Sequence, residues 1–527
     1  MPRVLVSDKL SSEGLAILER ESHLIKTDIK TGLSEQELCA IIGNYEGLVV
    51  RSSTTVTATV LEAAKNLKVI GRAGIGVDNI DVPAASRHGV IVMNTPTGNM
   101  TTTAEHAIAM LMAAARKIPQ ATLSMRQGKW EKSKFTGVEV CNKTLGVIGV
   151  GNIGGIVANR AQGLGMKVIA YDPFITEEKA QKMKMELVSL DALYERADFI
   201  TVHTPLTPET RGLIGKAAFS KMKPTALVIN CARGGIVDES ALYEALKSNR
   251  IAGAALDVFA EEPPKENPLV TMEQVVVTPH LGAATAEAQL NVAIDVAQQI
   301  VEFFKYGTIK NAVNFPTLSP EAAKTLQPYS MLAERMGSLQ TQLAPGPIQE
   351  VVIEFSGDVA EYDTRPLTLA ALKGLLTPIS DFVNYVNAPV VAKERGIRVV
   401  ESRASQPKDF ASLITITIKS SKGERKIAGA MFGHKEPRIV RIDGFFMEAI
   451  PDGNILFLEN WDKTGVIGDI GTILGKNGIN VARMQIGRDV PGGRAISLLN
   501  IDQSLNRELL EEVRKLPNII SATQVAL

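Results

Sequence analysis

The chain has 527 residues, with 57 Lys plus Arg against 57 Asp plus Glu, 45% hydrophobic residues and 5% aromatics. At roughly 150 residues per domain this length predicts three or four domains with ample core, and it excludes a single small binding module. The balanced charge offers no field to a polyanion, so neither nucleic acid nor a membrane surface is an expected partner. Cys39, Cys141 and Cys231 form no CxxC pair, which argues against a disulfide framework or a thiolate metal site and suits a reducing cytoplasm. The longest apolar run, 107–115, is far short of the ~20 residues that span a bilayer. The opening MPRVLVSD reads as a strand entering a turn rather than as a leader.

The first hundred residues alternate short apolar strands at 4–7, 47–51, 69–71 and 90–93 with helical stretches such as SEQELCAIIGNY. That rhythm predicts a parallel sheet covered by helices. MNTPTGN reads as a crossing between domains, and Thr102 with Glu105 matches a capping box opening the helix TTTAEHAIAMLMAAAR. From residue 145 six strand-like runs follow at βα spacing: LGVIGV, KVIAYD, FITVHTP, ALVINCA, AGAALDV and VVVTPH. Six are what a dinucleotide-binding sheet requires. A helix over 285–304 precedes NAVNFPTLSP, whose prolines predict a linker. Residues 316–450 read as α+β, with strands SLITITIKS, RKIAGAMFG and RIVRIDGFFMEAI. The last 75 residues run strand, helix, strand, strand, helix, strand, the ferredoxin-like order.

GVGNIG carries the strongest chemical signal. Gly149 permits the tight turn, Gly151 lets backbone approach a pyrophosphate, and Gly154 lets helix pack on strand. Asp172, eighteen residues after Gly154, is placed to hold a ribose 2′-hydroxyl and to repel a 2′-phosphate, so the expected cofactor is NAD rather than NADP. Three polar groups then follow the fourth, fifth and sixth of those runs: Arg233 after INCA, Glu262 in the EEPP loop and His280 at the end of VVVTPH. A cation for a carboxylate and carbonyl, a proton-exchanging imidazole and a carboxylate to orient it suffice for hydride-transfer chemistry. Adjacency alone does not choose between Glu261 and Glu262. His203, ending ITVHTP, reads equally as a cofactor-pocket residue or a structural one, whereas His106 on the Ala-rich helix takes a structural reading.

The stretches RSSTTVT, GRAGIGVDNID, MNTP, TLGVIGVGNIG, FITVHTPLT, INCARGGIVDE, AALDVFAEEPP and TPHLGA resemble the D-isomer-specific 2-hydroxyacid dehydrogenase family, through residues 1 to about 313. The resemblance implies a Rossmann-type doubly wound NAD-binding domain (99–289) inserted in a flavodoxin-like substrate-binding domain (1–98 and 290–313). It implies Arg233, Glu262 and His280 as the catalytic set, choosing Glu262. It also implies cofactor contacts at Asn152, Ile153, Asp172, Thr204, Cys231, Ala232, Arg233, Asp257 and His280. A phosphorylated 2-hydroxy acid is the implied substrate, met by Arg51, Ser52, Arg72, Gly74, Ile75 and Gly76, with Lys132 reaching it from the partner in a homodimer or homotetramer.

Residues 316–450 resemble the intervening regulatory domain of the long form of such enzymes, with an anion site suggested around Lys422, Arg425, Lys426 and His434. WDKTGVIGDIG and GINVARM give 453–527 the look of an ACT domain, implying L-serine as effector at Asn460, Asp462 and Asn480. Other readings of the chain are a glycerate or glyoxylate type of 2-hydroxyacid dehydrogenase, or a non-catalytic NAD(H)-sensing protein.

Overall fold

The structure, a computed structural model, describes residues 1–380, 382–404, 410–433 and 436–527. Four sheets organise it. The first runs Lys26–Ile29, Arg3–Val6, Gly47–Val50, Val69–Arg72, Ile91–Asn94, all parallel, which is the flavodoxin-like order. The second, also wholly parallel, runs Val275–Val277, Gly253–Leu256, Leu227–Asn230, Phe199–Val202, Thr144–Ile148, Lys167–Tyr171, Glu186–Leu187. This sheet reverses direction of winding between Thr144–Ile148 and Phe199–Val202, and a doubly wound sheet binds its ligand in the crevice at such a point.

The second sheet holds seven strands rather than six, the addition being the two-residue edge pairing Glu186–Leu187. Apolar clusters cover both of its faces, one of them built with Ala104, Ala107, Met110, Leu111 and Ala115 of the helix Met100–Arg116. Small alanines on that face let the helix sit close to the strands. The helix begins earlier than the sequence pattern predicts: Asn99 occupies the cap position, without a side-chain cap bond, and Thr102 lies inside the first turn. The capping box therefore does not form; the Thr102 hydroxyl lies 3.4 Å from that of Thr285, which caps the helix Ala286–Tyr306 through Ala288.

That helix, Ala286–Tyr306, returns to the first sheet, where Val292, Val296, Ala297 and Ile300 pack on Val4, Val6, Val49 and Val69. The segment expected as a linker starts by pairing instead. Met93 bridges Ala312, and the Asn314 side chain accepts from Val92 N at 2.9 Å and donates to Val90 O at 2.8 Å. The edge strand Ile91–Asn94 has unpaired backbone groups to satisfy, and this segment satisfies them.

The third sheet is mixed and runs Arg398–Ala404, Ile348–Gly357, Ser412–Ser420, Gly423–Phe432, Glu436–Ile442, Phe445–Ala449. The stretch expected as one strand from Arg438 is a hairpin, turned at Asp443 (φ +47°) and Gly444 (φ +93°). The fourth sheet runs Val481–Arg488, Arg494–Ile501, Asn454–Trp461, Ile519–Ala526, with helices Val466–Lys476 and Arg507–Arg514. No helix among the described residues is long and apolar enough to cross a membrane.

Candidate active site

The glycine-rich loop has the geometry its sequence demands. Gly149 sits at φ +87°, and a Cβ there would stand 2.8 Å from His203 O. A Cβ on Gly154 would stand 2.0 Å from Gly149 O, whereas one on Gly151 would meet nothing within 4 Å. Two glycines thus bring strand, loop and the helix Asn152–Gly163 together, and the third leaves the helix N-terminus open to an anion. The Asp172 carboxylate accepts from Val150 N at 2.7 Å and from Phe174 N at 2.8 Å, which fixes it beside this loop.

A cleft of about 500 Å³ continues from the loop across the carboxyl ends of the strands. It is lined by Asn152, Ile153, His203, Thr204, Cys231, Ala232, Arg233, Asp257 and His280, and on the side of the first sheet by Arg72, Ile75, Gly76 and Asp78. His203 is half-buried, bonded through Nε2 to Thr201 Oγ1 at 2.9 Å, and desolvation pulls its pKa down to about 4. Its Nδ1 and the neighbouring Thr204 Oγ1 are buried with no hydrogen-bond partner among the described residues. Burial pushes the Cys231 thiol up, away from the thiolate form. Open glycine cradle, fixed carboxylate and unsatisfied polar atoms together suit a dinucleotide.

At the far end, His280 Nδ1 lies 2.7 Å from Glu262 Oε2, and Glu262 Oε1 accepts from Phe259 N at 3.1 Å. Glu262, not Glu261, therefore orients the imidazole and leaves Nε2 free for chemistry. The bond to Glu262 raises the His280 pKa against the opposing effect of burial. Burial pushes Glu262 upward, but the His280 and Phe259 bonds outweigh it and hold the carboxyl below its usual range.

Two guanidiniums share the cleft. Arg233 pairs through Nε with Asp78 Oδ2 at 2.8 Å and donates from Nη1 to Ala232 O at 2.7 Å. Arg72 is half-buried; burial, then the charge of Arg233, pull its pKa down to about 10 against the opposing pull of Asp78. Its Nε has no hydrogen-bond partner among the described residues. Gly74 and Gly76 make room for both: a Cβ would stand 1.6 Å from Arg72 Nη1 at the first and 1.9 Å from Arg233 Nη2 at the second. Two adjacent half-buried cations call for anionic groups on a ligand.

Not every expected residue gathers here. Arg51 donates from Nη1 to Lys9 O at 3.1 Å, Ser52 is exposed, and Lys132 stands exposed on the short turn Lys132–Phe135, away from the cleft. Within one chain Asp462 and Asn480 stand at opposite ends of the strand Arg494–Ile501, about 24 Å at ~3.4 Å per residue, so no single amino acid touches both. Asp462 binds Arg488 Nη1 (2.8 Å) and Gly492 N (3.0 Å), Asn480 binds Asp502 (2.8 Å), and Asn460 is buried against Ser497 (3.2 Å). The helix Val466–Lys476 is capped by Gly465, not by Asp462. In the suggested anion site, Arg425 is already engaged by Asp443 (3.1 Å) and Glu459 (2.8 Å), and His434 lies outside the described residues.

Sequence reasoning passes over Asp78, which anchors Arg233, although it stands inside the GRAGIGVDNID stretch. It also gives no sign of the pairing of His106 with Asp257, 151 residues apart, at 3.1 Å.

Residues 108–282 match the NAD binding domain of the D-isomer specific 2-hydroxyacid dehydrogenases, 325–443 the D-3-phosphoglycerate dehydrogenase intervening domain, and 455–518 the ACT domain. The chain belongs to the D-isomer specific 2-hydroxyacid dehydrogenase family and is an NAD-dependent oxidoreductase. Within that family it is 47% identical to a D-3-phosphoglycerate dehydrogenase of Synechocystis sp., over 100% of this chain and 95% of that protein. It is 47% identical to the D-3-phosphoglycerate dehydrogenase of Archaeoglobus fulgidus, over the whole of both. A solved NAD-dependent formate dehydrogenase from Staphylococcus aureus, in complex with NAD, superimposes with a TM-score of 0.53 at 28% identity, covering 60% of this chain and 100% of that one.

Proposed function

We propose that the chain oxidises 3-phospho-D-glycerate to 3-phosphohydroxypyruvate with NAD, the first step toward L-serine, in the cytoplasm. The observation that carries the reading is one cleft holding the His280–Glu262 pair together with the guanidiniums of Arg233 and Arg72. Bound NAD supplies the acceptor for the hydride on C2. His280 Nε2 takes the proton of the C2 hydroxyl, and Glu262 stabilises the imidazolium that results. Arg233 holds the carboxylate and the developing carbonyl oxygen, while Arg72 meets the phosphate, assisted by Arg51 and by Lys132 of a second copy. Residues 1–98 with 290–313 act as the substrate-binding unit, 99–289 as the NAD-binding unit, 316–450 as the intervening unit and 453–527 as the ACT unit. Initial rates with NAD and a panel of 2-hydroxy acids test the reading: 3-phosphoglycerate should exceed glycerate in kcat/KM by at least tenfold. Preference for the unphosphorylated acid would replace this substrate assignment.

Asp172 should make the enzyme prefer NAD over NADP by about two orders of magnitude, since a fixed carboxylate beside the loop repels a 2′-phosphate. Asp172→Asn keeps an acceptor for Val150 N and removes the charge. It should shrink the ratio of the two kcat/KM values by roughly tenfold, equivalent to ~1.4 kcal/mol. An unmoved ratio would take Asp172 out of cofactor selection.

L-Serine is the proposed effector of the ACT unit, as the end product of the pathway. The separation of Asp462 from Asn480 means that its site takes one of them from each of two copies. Exposed Ile467, Ile486 and Val490 on this unit, and Ile118, Leu123, Met125 and Trp130 near the NAD-binding sheet, offer apolar surface for such self-association. Removing residues 453–527 should preserve dehydrogenase turnover and abolish serine inhibition. Calorimetry showing no serine binding to the full chain would leave the unit an assembly module.

A further inference from the structure

His106 takes no part in the proton transfer described above, yet it stands directly behind it. It projects from the helix Met100–Arg116, and its Nε2 lies 3.1 Å from Asp257 Oδ1 and 3.3 Å from Thr278 Oγ1. Asp257 is fully buried. Its Oδ1 accepts from Thr278 Oγ1 at 2.5 Å and from Leu281 N at 2.7 Å, its Oδ2 from Gly282 N at 2.8 Å, and its backbone carbonyl from His280 N at 2.9 Å. One residue thus grips three consecutive amides, those of 280, 281 and 282. The need for such a grip is visible in the backbone: His280 sits at φ +54°, a left-handed conformation unfavourable for a residue with a Cβ. Conformations of this kind persist only where the surroundings over-determine them.

Burial pushes the Asp257 carboxyl upward, and the donors around it, His106 first among them, hold it below its usual range as a carboxylate. Only as a carboxylate can it accept all of those bonds. Among the described residues His106 and Thr278 are the two side chains that face it with donors, so the aim of the carboxylate at the 281 and 282 amides depends on them.

We propose that His106 is a positioning residue for the dehydrogenase reaction: by donating from Nε2 to Asp257 it aims that carboxylate at the Leu281 and Gly282 amides, and so holds His280 where its Nδ1 meets Glu262. The inference rests on the reading of His280 as proton acceptor. The charged groups that face His280 are Glu262 and Asp257, which raise its pKa, and Arg233, which lowers it. None of them is altered by a change at residue 106, so a displaced His280 titration reports a displaced imidazole.

The test compares His106→Leu, which keeps bulk and removes the donor, with His106→Gln, whose amide nitrogen reaches nearly the same point. Thr278→Val, which removes the other side-chain donor to Oδ1, is a second variant should the Leu form fold poorly. In the full-length protein His106→Leu should lower kcat about tenfold, with KM for the 2-hydroxy acid changed less than threefold, and His106→Gln should restore kcat to within threefold of wild type. The second readout needs no turnover. The chain has six histidines, so ¹³Cε1-labelled imidazoles can be followed by NMR and assigned by single substitutions. The His280 resonance should titrate nearer the ordinary histidine value in His106→Leu and Thr278→Val than in wild type or His106→Gln. Equal behaviour of the Leu and Gln variants, or a fall in kcat with the His280 titration unmoved, would make His106 a packing residue and overturn the inference. A displaced titration in a protein that oxidises no 2-hydroxy acid would uphold the positioning and overturn the activity reading instead.

Discussion

His280→Ala should lower kcat by about 10² or more, with NAD affinity little changed. A positioned proton acceptor contributes 10²–10⁴-fold in such reactions, and the lower figure corresponds to ~2.7 kcal/mol of barrier. His280 is the residue for this because its Nδ1 is fixed by Glu262 at 2.7 Å, leaving one nitrogen in a known orientation at the cleft. Near-wild-type turnover would remove it from the chemistry. The companion change Glu262→Gln tests the electrostatics with a definite sign. Glu262 raises the His280 pKa, so its loss lowers that pKa. Oxidation needs the neutral imidazole, and the acidic limb of its kcat/KM profile should move to lower pH. Reduction needs the imidazolium, and its basic limb should move to lower pH as well, so reduction near pH 8 should suffer more than oxidation. Unmoved limbs in both directions would show that Glu262 does not set the charge on His280.

What the sequence makes legible follows burial. Interior parallel strands such as Leu227–Asn230 and Gly253–Leu256 are buried along their whole length and read as continuous apolar runs. Glycine spacing in the nucleotide loop is legible for a different reason: each position answers a separate steric demand that no other residue meets. The losses are two polar edge strands. Lys26–Ile29 (KTDI) and Glu186–Leu187 each end their sheet with little buried surface, so neither carries an apolar signature. Ile348–Gly357 is flanked by strands on both sides, and its alternating burial is a signal the sequence does carry.

The candidate site divides the same way. Residues following strand ends along one sheet edge converge because the topology converges, which places Arg233, Glu262 and His280 in reach of one another. The partners that position them come from other elements at large separations: Asp78 from the loop after the strand Val69–Arg72 to Arg233, and His106 from a helix to Asp257. Side-chain pairs of that kind leave no periodicity to read. The effector residues show the opposite failure, since Asp462 and Asn480 flank one helix in sequence but stand at opposite ends of the sheet once the helix has run back along it.

The second large effect should come from Arg233, and a glycine gives the sharper test of it. With Nε committed to Asp78 and Nη1 to Ala232 O, Nη2 is the fork nitrogen left for a substrate. Arg233→Lys should cost about 10²–10³ in kcat/KM, because a single ammonium cannot reproduce a planar fork aimed at a carboxylate and a developing oxyanion. That variant also loses the Asp78 pairing, so its effect mixes position with charge. Gly76→Ala separates them. The new methyl would stand 1.9 Å from Arg233 Nη2 and 2.8 Å from Asp78 Oδ2, both at the ends of side chains that can swing away, and Gly76 has no positive φ to be strained. The fold should therefore survive with Tm little altered, whereas the same change at Gly74, held at φ +141°, should destabilise it. Displacing the guanidinium should lower kcat/KM for the 2-hydroxy acid at least tenfold while NAD binding, which depends on the loop at Gly149–Gly154, stays as in wild type. A Gly76→Ala protein with unchanged kcat/KM would show that substrate is not held by Arg233 in the position it occupies beside Asp78.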